Sequence, residues 1–171
     1  MEILKSLSEL TAWRHAAGHK TVGFVPTMGY LHEGHFALVK KSLEDNELTA
    51  VSIFVNPTQF GPNEDLSRYP RDFDGDSANL SRLGVDALYF PESADVYPEG
   101  FDSWVTTRKG AEMLCGRSRP GHFDGVLTVV LKLFNRVHPT RAYFGKKDYQ
   151  QFVLIRRMSA DLDLGIEVLG L

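Results

Sequence analysis

Residues 21–35, TVGFVPTMGYLHEGH, pass from an apolar stretch through a glycine-broken turn to two histidines, and few folds accommodate that order. Residues 22–25 are apolar without clean alternation, the pattern of a parallel strand covered on both faces. Pro26 and Gly29 are expected to end that strand. From Gly34 onward, Phe36, Val39 and Leu43 recur at helical spacing, so a helix begins at or near His35. Residues 49–55, TAVSIFV, are β-branched and aromatic and supply the next strand. Strand, helix and strand make one βαβ unit, and such units build a parallel sheet with helices on both faces.

The entry of the first of these helices is where an anion is favoured. Backbone N–H groups there lack partners and the helix dipole turns its positive end outward. His32 and His35 are three residues apart, so a first turn containing both puts them on one face beside that pole. Gly34 between them permits close approach to the backbone. Imidazoles so placed donate hydrogen bonds to phosphate oxygens and can carry positive charge as phosphoryl chemistry proceeds. A zinc-peptidase interpretation of HEGH fails on spacing, since it needs histidines at i, i+4 within a helix. A plainer alternative is that the histidines only cap the helix.

Strand, glycine turn and helix recur later. Residues 141–144 form a short strand, Gly145, Lys146, Lys147 and Asp148 a polar turn, and Phe152, Ile155 and Met158 mark a helix to about Asp161. Lys147 suits a triphosphate, and Asp148 suits Mg²⁺, which keeps its waters and takes few carboxylates. The alternative for Asp148 is an acid in the first turn of a helix. After the strand at 49–55 comes a turn-rich segment, Asn56 to Pro62, at the sheet edge where ligands bind in open parallel sheets. Elsewhere residues 2–4 make a first strand, and Ser6 and Glu9 have capping-box spacing ahead of a helix that closes at Gly18. Residues 63–71 are loop, Asp72 caps a helix closing at Gly84, 85–90 is a strand, and 91–101 is irregular. The acids Glu64, Asp65, Asp74 and Asp76 are assigned to a solvated face. A short edge strand is expected at 104–107 and a loop from Cys115 to Gly121. The valines and leucines of 125–137 recur every 3.6 residues, so that stretch is a helix packed on the sheet. Residues 166–169 make the last strand.

Composition narrows the class. The 171 residues are 43% hydrophobic and 24% charged, ordinary for one globular core. The net charge of −3 comes from interspersed acids and bases, with no basic block for nucleic acid. No apolar run approaches a membrane span and the N-terminus lacks a signal-peptide layout, so a cytoplasmic location with no membrane partner is expected. Cys115 is the single cysteine, which leaves no internal disulfide and fits a reducing compartment.

PTMGYLHEGH, SIFVNPTQFGPNEDLSRYPR, RPGHFDGVLTVVLKLFN and AYFGKKDYQQFVLIRRM, which together span most of the chain, resemble the ordered motifs of the pantothenate synthetase family of HxGH nucleotidyltransferases. The resemblance implies a Rossmann-like, doubly wound α/β domain over residues 1–171 that binds nucleotide and pantoate. It further implies that ATP and Mg²⁺ drive the joining of (R)-pantoate to β-alanine through a pantoyl adenylate. By resemblance ATP is contacted by Met28, Gly29, Tyr30, Leu31, His32, Glu33, Gly34 and His35, and by Gly145, Lys146, Lys147 and Asp148. His35, His32 and Lys147 are the implied catalytic groups, with His35 as the acid and Asp148 holding the metal. Gln59 and Gln151 are the implied amides for pantoate, Gln59 also meeting β-alanine. An amide orients a carboxylate nucleophile without neutralising it. Arg119 and His122, in RPGHF, are weaker candidates near the nucleotide. The resemblance also implies a homodimer and a C-terminal lid domain that this chain stops short of. Two alternatives follow: a binding-only domain with little turnover, and another HxGH nucleotidyltransferase with a different acceptor.

Overall fold

The structure is a computed structural model, and it describes residues 1–60, 66–108, 110, 115–119 and 121–171. Six strands, β1 (Glu2–Leu4), β2 (Val22–Thr27), β3 (Leu48–Ile53), β4 (Ala87–Tyr89), β5 (Arg141–Phe144) and β6 (Glu167–Gly170), lie in the order β1-β4-β3-β2-β5-β6. Every pairing is parallel. Between them run α1 (Leu7–Ala17), α2 (Glu33–Asp45), α3 (Phe73–Leu83), the short α4 (Ser93–Val96) and α5 (Cys115–Ser118), α6 (His122–Val137) and α7 (Tyr149–Asp161).

Alternation along the strands sorts the core into two layers. Phe24, Ala50, Tyr89, Ala142 and Phe144 face Leu10 and Trp13 of α1, the apolar stripe of α6, and Phe152, Ile155 and Met158 of α7. Val25, Val51, Ile53, Leu88 and Tyr143 face the other way, against Leu38 and Val39 of α2 and Leu80 of α3. The expected doubly wound α/β sheet with helices on both faces is therefore observed. From β2 the chain steps outward through α2, β3, α3 and β4, whereas β5, α7 and β6 step outward on the opposite side. The loops leaving β2 and β5 consequently diverge, which opens a crevice at the carboxyl ends of those two strands.

Pro26 does not end β2, contrary to the sequence expectation; it lies inside the strand, opposite Ser52. The physical reason is directional. Val22 O accepts from Thr140 N at 2.8 Å, so Val22, Phe24 and Pro26 turn their backbone groups towards β5. Thr21 O accepts from Leu48 N and Thr27 O from Phe54 N, each at 3.0 Å, so the odd-numbered residues face β3. The proline thus deletes a donor on the β5 side alone. Register with β5 stops at Gly23–Arg141 and Phe24–Ala142, while the ladder to β3 continues to Thr27–Ile53.

Other boundaries move for local reasons. Residues 104–107 form no strand; Val105 N donates to Thr128 Oγ1 at 2.9 Å instead of to a ladder. The expected loop after Cys115 contains the helical turn α5, α6 begins three residues earlier than its valine stripe, and the excursion at 91–101 contains α4. A 3₁₀ turn, Leu66–Arg68, interrupts the loop at 63–71. Gly61, Pro62, Glu64, Asp65 and Pro120 lie outside the described residues.

Phe134 of α6 is 1% exposed and meets the edges of Phe24 and Phe144 at ring distances of 6.5 and 6.4 Å, so it ties the helix to β2 and β5 together. Phe134→Ala should lower stability by about 3–5 kcal/mol, the usual cost of truncating a buried aromatic. Urea unfolding should show the midpoint falling with one cooperative transition kept; an unchanged midpoint contradicts this packing.

Candidate active site

The loop after β2 is built from its own backbone donors. Thr27 Oγ1 donates to Ser52 O at 2.7 Å and accepts from Gly29 N at 3.2 Å. Gly29 and Tyr30 follow with φ of 85° and 54°. Tyr30 N donates to Asp76 Oδ2 at 2.7 Å and Leu31 N to Asp76 Oδ1 at 2.8 Å. Asp76 is 4% exposed, so its assignment to a solvated face is wrong; its neighbour Asp74 is exposed as expected. A usable signal was present. Phe73, Asp76, Leu80 and Leu83 share the apolar stripe of α3, and an acid on such a stripe has to find donors inside the protein.

His32 is the N-cap of α2 and His35 its third residue. Gly34 N donates to His32 Nδ1 at 3.1 Å, and His32 N points at His35 Nδ1 at 3.4 Å. The plainer capping alternative is thus part of the structure. Because both Nδ1 atoms accept from N–H groups, each neutral ring carries its proton on Nε2. Capping does not consume the chemistry but fixes it, since Nε2–H remains on the opposite edge of each ring. The rings stand 4.2 Å apart at 48°. Gly34 is required by the first of them: a Cβ there would lie 2.9 Å from His32 Cε1.

The second polar turn, Lys146–Asp148, leaves β5 directly, and its side chains are exposed. It lies within electrostatic reach of His35. Burial holds the His35 pKa below its ordinary 6.5 and the neighbouring His32 pushes it the same way, against the carboxylates of Asp76 and Asp148; Lys147 adds a smaller downward push. His35, His32, Lys147 and Asp148 therefore gather around the split between β2 and β5. Among the described residues no three His, Cys, Asp or Glu side chains converge as a metal-binding group. A single exposed carboxylate fits an ion that arrives already bound to phosphate, as Mg²⁺ does.

Gln59 ends the 3₁₀ turn Pro57–Gln59, capped by the buried Asn56. Asn56 Nδ2 donates to Gln59 Oε1 at 3.2 Å and to Gly125 O at 3.1 Å, and Gln59 Nε2 lies 2.7 Å from Met28 Sδ, so the loops after β2 and β3 meet here. His122 Nδ1 donates to the Gln59 carbonyl at 2.8 Å, and Arg119 Nη2 donates to the same oxygen at 3.4 Å. With its proton on Nδ1, His122 accepts at Nε2 from Arg119 Nη1, 3.2 Å away. Arg119 and His122 thus stand behind Gln59, 60 and 63 residues on in sequence. Gln151 is half-buried in the first turn of α7, and among the described residues it shares no hydrogen bond with Gln59.

Two loops bearing histidine, lysine and carboxylate groups, at a crevice between diverging parallel strands, suit a phosphate-bearing ligand. Comparison with known proteins gives the lineage: residues 2–171 match the family model described as pantoate-beta-alanine ligase. The chain belongs to that family. It is 58% identical over 149 residues to the pantothenate synthetase of Caldicellulosiruptor bescii, covering 87% of this chain and 53% of that protein. Against the pantothenate synthetase of Pseudothermotoga lettingae it is 53% identical over 170 residues, covering 99% and 60%. The crystal structure of pantothenate synthetase from Thermus thermophilus superposes with a TM-score of 0.95 at 49% identity, over all of this chain and 61% of that one. The pantoate-beta-alanine ligase of Francisella tularensis, solved with beta-gamma ATP and beta-alanine, superposes with a TM-score of 0.96 at 41% identity, over all of this chain and 66% of that one. The chain thus spans between about half and two thirds of the length of these pantoate-beta-alanine ligase relatives. Both loops and the Gln59 turn lie within the matched region.

Two outcomes follow from this geometry. His35 titrates lower in the fold than in the unfolded chain, so its contribution to stability is complete above pH 6.5 and declines as pH falls through the folded value. Urea melts between about pH 7 and 5 should therefore show a decline that His35→Gln flattens, and an unchanged profile would remove His35 as its source. Gly125→Ala would put a Cβ 2.6 Å from Thr58 O, a backbone atom with no rotamer to escape into. It should cost about 1–3 kcal/mol and shift the amide resonances of Thr58 and Gln59; silence at those amides contradicts the close approach.

Proposed function

We propose that residues 1–171 form the nucleotide- and pantoate-binding domain of an enzyme that condenses (R)-pantoate with β-alanine at the expense of ATP. The observation that carries this is the histidine pair at the start of α2, standing with Lys147 and Asp148 around the split between β2 and β5. In the proposed first step a pantoate carboxylate oxygen attacks the α-phosphorus. The bond from that phosphorus to the bridging oxygen breaks, pyrophosphate leaves and pantoyl adenylate forms. In the second step the β-alanine nitrogen attacks the acyl carbon, AMP leaves with the bonding pair of the C–O bond, and the amine gives up a proton. No covalent intermediate with the protein is required.

The side chains divide this work. His32 and His35 present Nε2–H to phosphate oxygens where negative charge grows; for a neutral ring, the acid role that the resemblance assigns to His35 is hydrogen-bond donation to the leaving phosphate without transfer of the proton. The depressed pKa of His35 keeps the ring neutral near pH 7, a donor that does not tie the nucleotide down with a full charge. Lys147 neutralises the triphosphate. Mg²⁺, held at Asp148, would screen charge between phosphate oxygens. The ATP cradle comprises Met28 to His35 and Gly145 to Asp148, but within it Tyr30 and Leu31 N–H already serve Asp76, so the imidazoles supply the donors. Gln59 and Gln151 orient the pantoate carboxylate, Gln59 with its amide oxygen engaged by Asn56 and one N–H on Met28 Sδ, which leaves the second N–H to donate. The family resemblance extends the proposal to a homodimer acting in the cytoplasm. Among the described residues no helix is long and apolar enough to cross a membrane.

Pantoate-dependent exchange of labelled pyrophosphate into ATP tests the first step. Exchange that needs both pantoate and Mg²⁺ and is abolished by His35→Ala supports the proposal; nucleotide binding without pantoate-dependent exchange would favour the binding-only alternative. Gln59→Ala and Gln151→Ala should each weaken pantoate binding by about 1–3 kcal/mol, the range for hydrogen bonds to a charged group, with ATP affinity hardly changed. A comparable loss for ATP in calorimetric titrations would reassign both amides.

A further inference from the structure

We propose that Asp76 is the positioning residue of the histidine pair: its buried carboxylate pins the backbone at Tyr30 and Leu31 and thereby sets where His32 and His35 stand. The chain leaving β2 must bend sharply before α2 begins. It does so through two consecutive left-handed residues, Gly29 at 85° and Tyr30 at 54°. Glycine bears this readily, whereas tyrosine does so only when the surroundings hold it there. The hold comes from one side chain. Both oxygens of Asp76 are used, one on Tyr30 N at 2.7 Å and the other on Leu31 N at 2.8 Å, and the residue is 4% exposed.

A carboxylate is suited to this post. It only accepts, it can serve two adjacent N–H groups at once, and a charged acceptor makes the stronger bond. Burying that charge is tolerable because each of its oxygens accepts a backbone hydrogen bond and it sits in the first turn of α3, at the positive end of the helix. Asp76 itself is anchored, with its N donating to Asp72 O at 2.9 Å and Leu80 fully buried one turn further along. Leu31 directly precedes His32, so the pinned backbone and the capping histidine are adjacent residues. The loop is also closed from behind: a Cβ on Gly29 would lie 3.0 Å from Ile53 Cγ2 and 3.3 Å from Asp76 Oδ2. With both oxygens engaged and little surface exposed, Asp76 acts through the loop rather than on a ligand.

The test compares Asp76→Asn with Asp74→Asn, which makes the same charge change at an exposed site two residues away. In the unaltered protein the Tyr30 and Leu31 amides should exchange slowly with solvent, and the His32 and His35 rings should show mutual nuclear Overhauser contacts. Asp76→Asn should speed exchange at those two amides and abolish the ring contacts while the sheet amides stay protected; Asp74→Asn should change neither. This arm needs no ligand. A second arm rests on the function proposed above. There Asp76→Asn should weaken Mg–ATP binding by about 10- to 100-fold, the scale of lost charge-assisted hydrogen bonds, and leave pantoate affinity unchanged. Failure of the unaltered protein to bind ATP would count against the proposed function alone. Ring contacts that persist in Asp76→Asn, or equal losses for ATP and pantoate, overturn the positioning role. Should Asp76→Asn not fold, fast exchange at Tyr30 and Leu31 in the unaltered protein overturns it, and Gly29→Ala, which crowds the same clamp with Asp76 intact, should reproduce the loss of ring contacts.

Discussion

A single missing N–H, that of Pro26, governs where this sheet can open. β2 is an interior strand and holds β3 along its whole length, but its hydrogen bonding to β5 lapses where proline has no proton to give. The chain diverges on either side of that line, so the loops from β2 and β5 leave in opposite directions above the gap. Every candidate group of the phosphate side, His32, His35, Lys147 and Asp148, belongs to one of those two loops or to the first turn of the helix that follows it. The two apolar layers, one against α1, α6 and α7 and the other against α2 and α3, hold the strands firmly enough for so local a defect to remain local.

Within the gap, helix capping and chemistry are one arrangement. An N-cap is ordinarily serine, threonine, aspartate or asparagine, whose single polar end is used up by the helix. Histidine has two nitrogens on opposite edges of a rigid ring. Committing Nδ1 to the backbone fixes both the tautomer and the orientation of Nε2, and the pair does this reciprocally. The strain appears in the loop before it, where Tyr30 takes a left-handed conformation and a carboxylate is buried to hold it. Preorganised donors of this kind contribute most where charge develops during reaction.

The parallel sheet, the order of its elements and the two ligand-edge loops are legible because each rests on a local pattern: unalternating apolar strands, a 3.6-residue stripe, glycine turns. The failures share a cause too. Pro26 reads as a strand terminator because its effect depends on which neighbour its N faces, and one chain segment alone does not tell that. Asp76 reads as solvated because its partners lie 45 and 46 residues away. Its place on the apolar stripe of α3 is the one clue. Arg119 and His122 can be associated with the site by resemblance, yet their contact with the Gln59 carbonyl exists only once α6 packs on the Pro57–Gln59 turn. Local chemistry can be read; tertiary hydrogen bonding cannot.

His32 and His35 cap α2 through Nδ1, and under the function proposed above they offer Nε2–H to a triphosphate. Two-bond proton–nitrogen correlation spectra of uniformly ¹⁵N-labelled protein at neutral pH, recorded before and after adding Mg–ATP, test this arrangement most directly. Both rings should be the Nε2–H tautomer in the free protein, and nucleotide should shift the Nε2 resonances while the Nδ1 resonances stay close to their capped positions. A proton on Nδ1 of either ring, or nucleotide binding that leaves both Nε2 resonances unmoved, would contradict it.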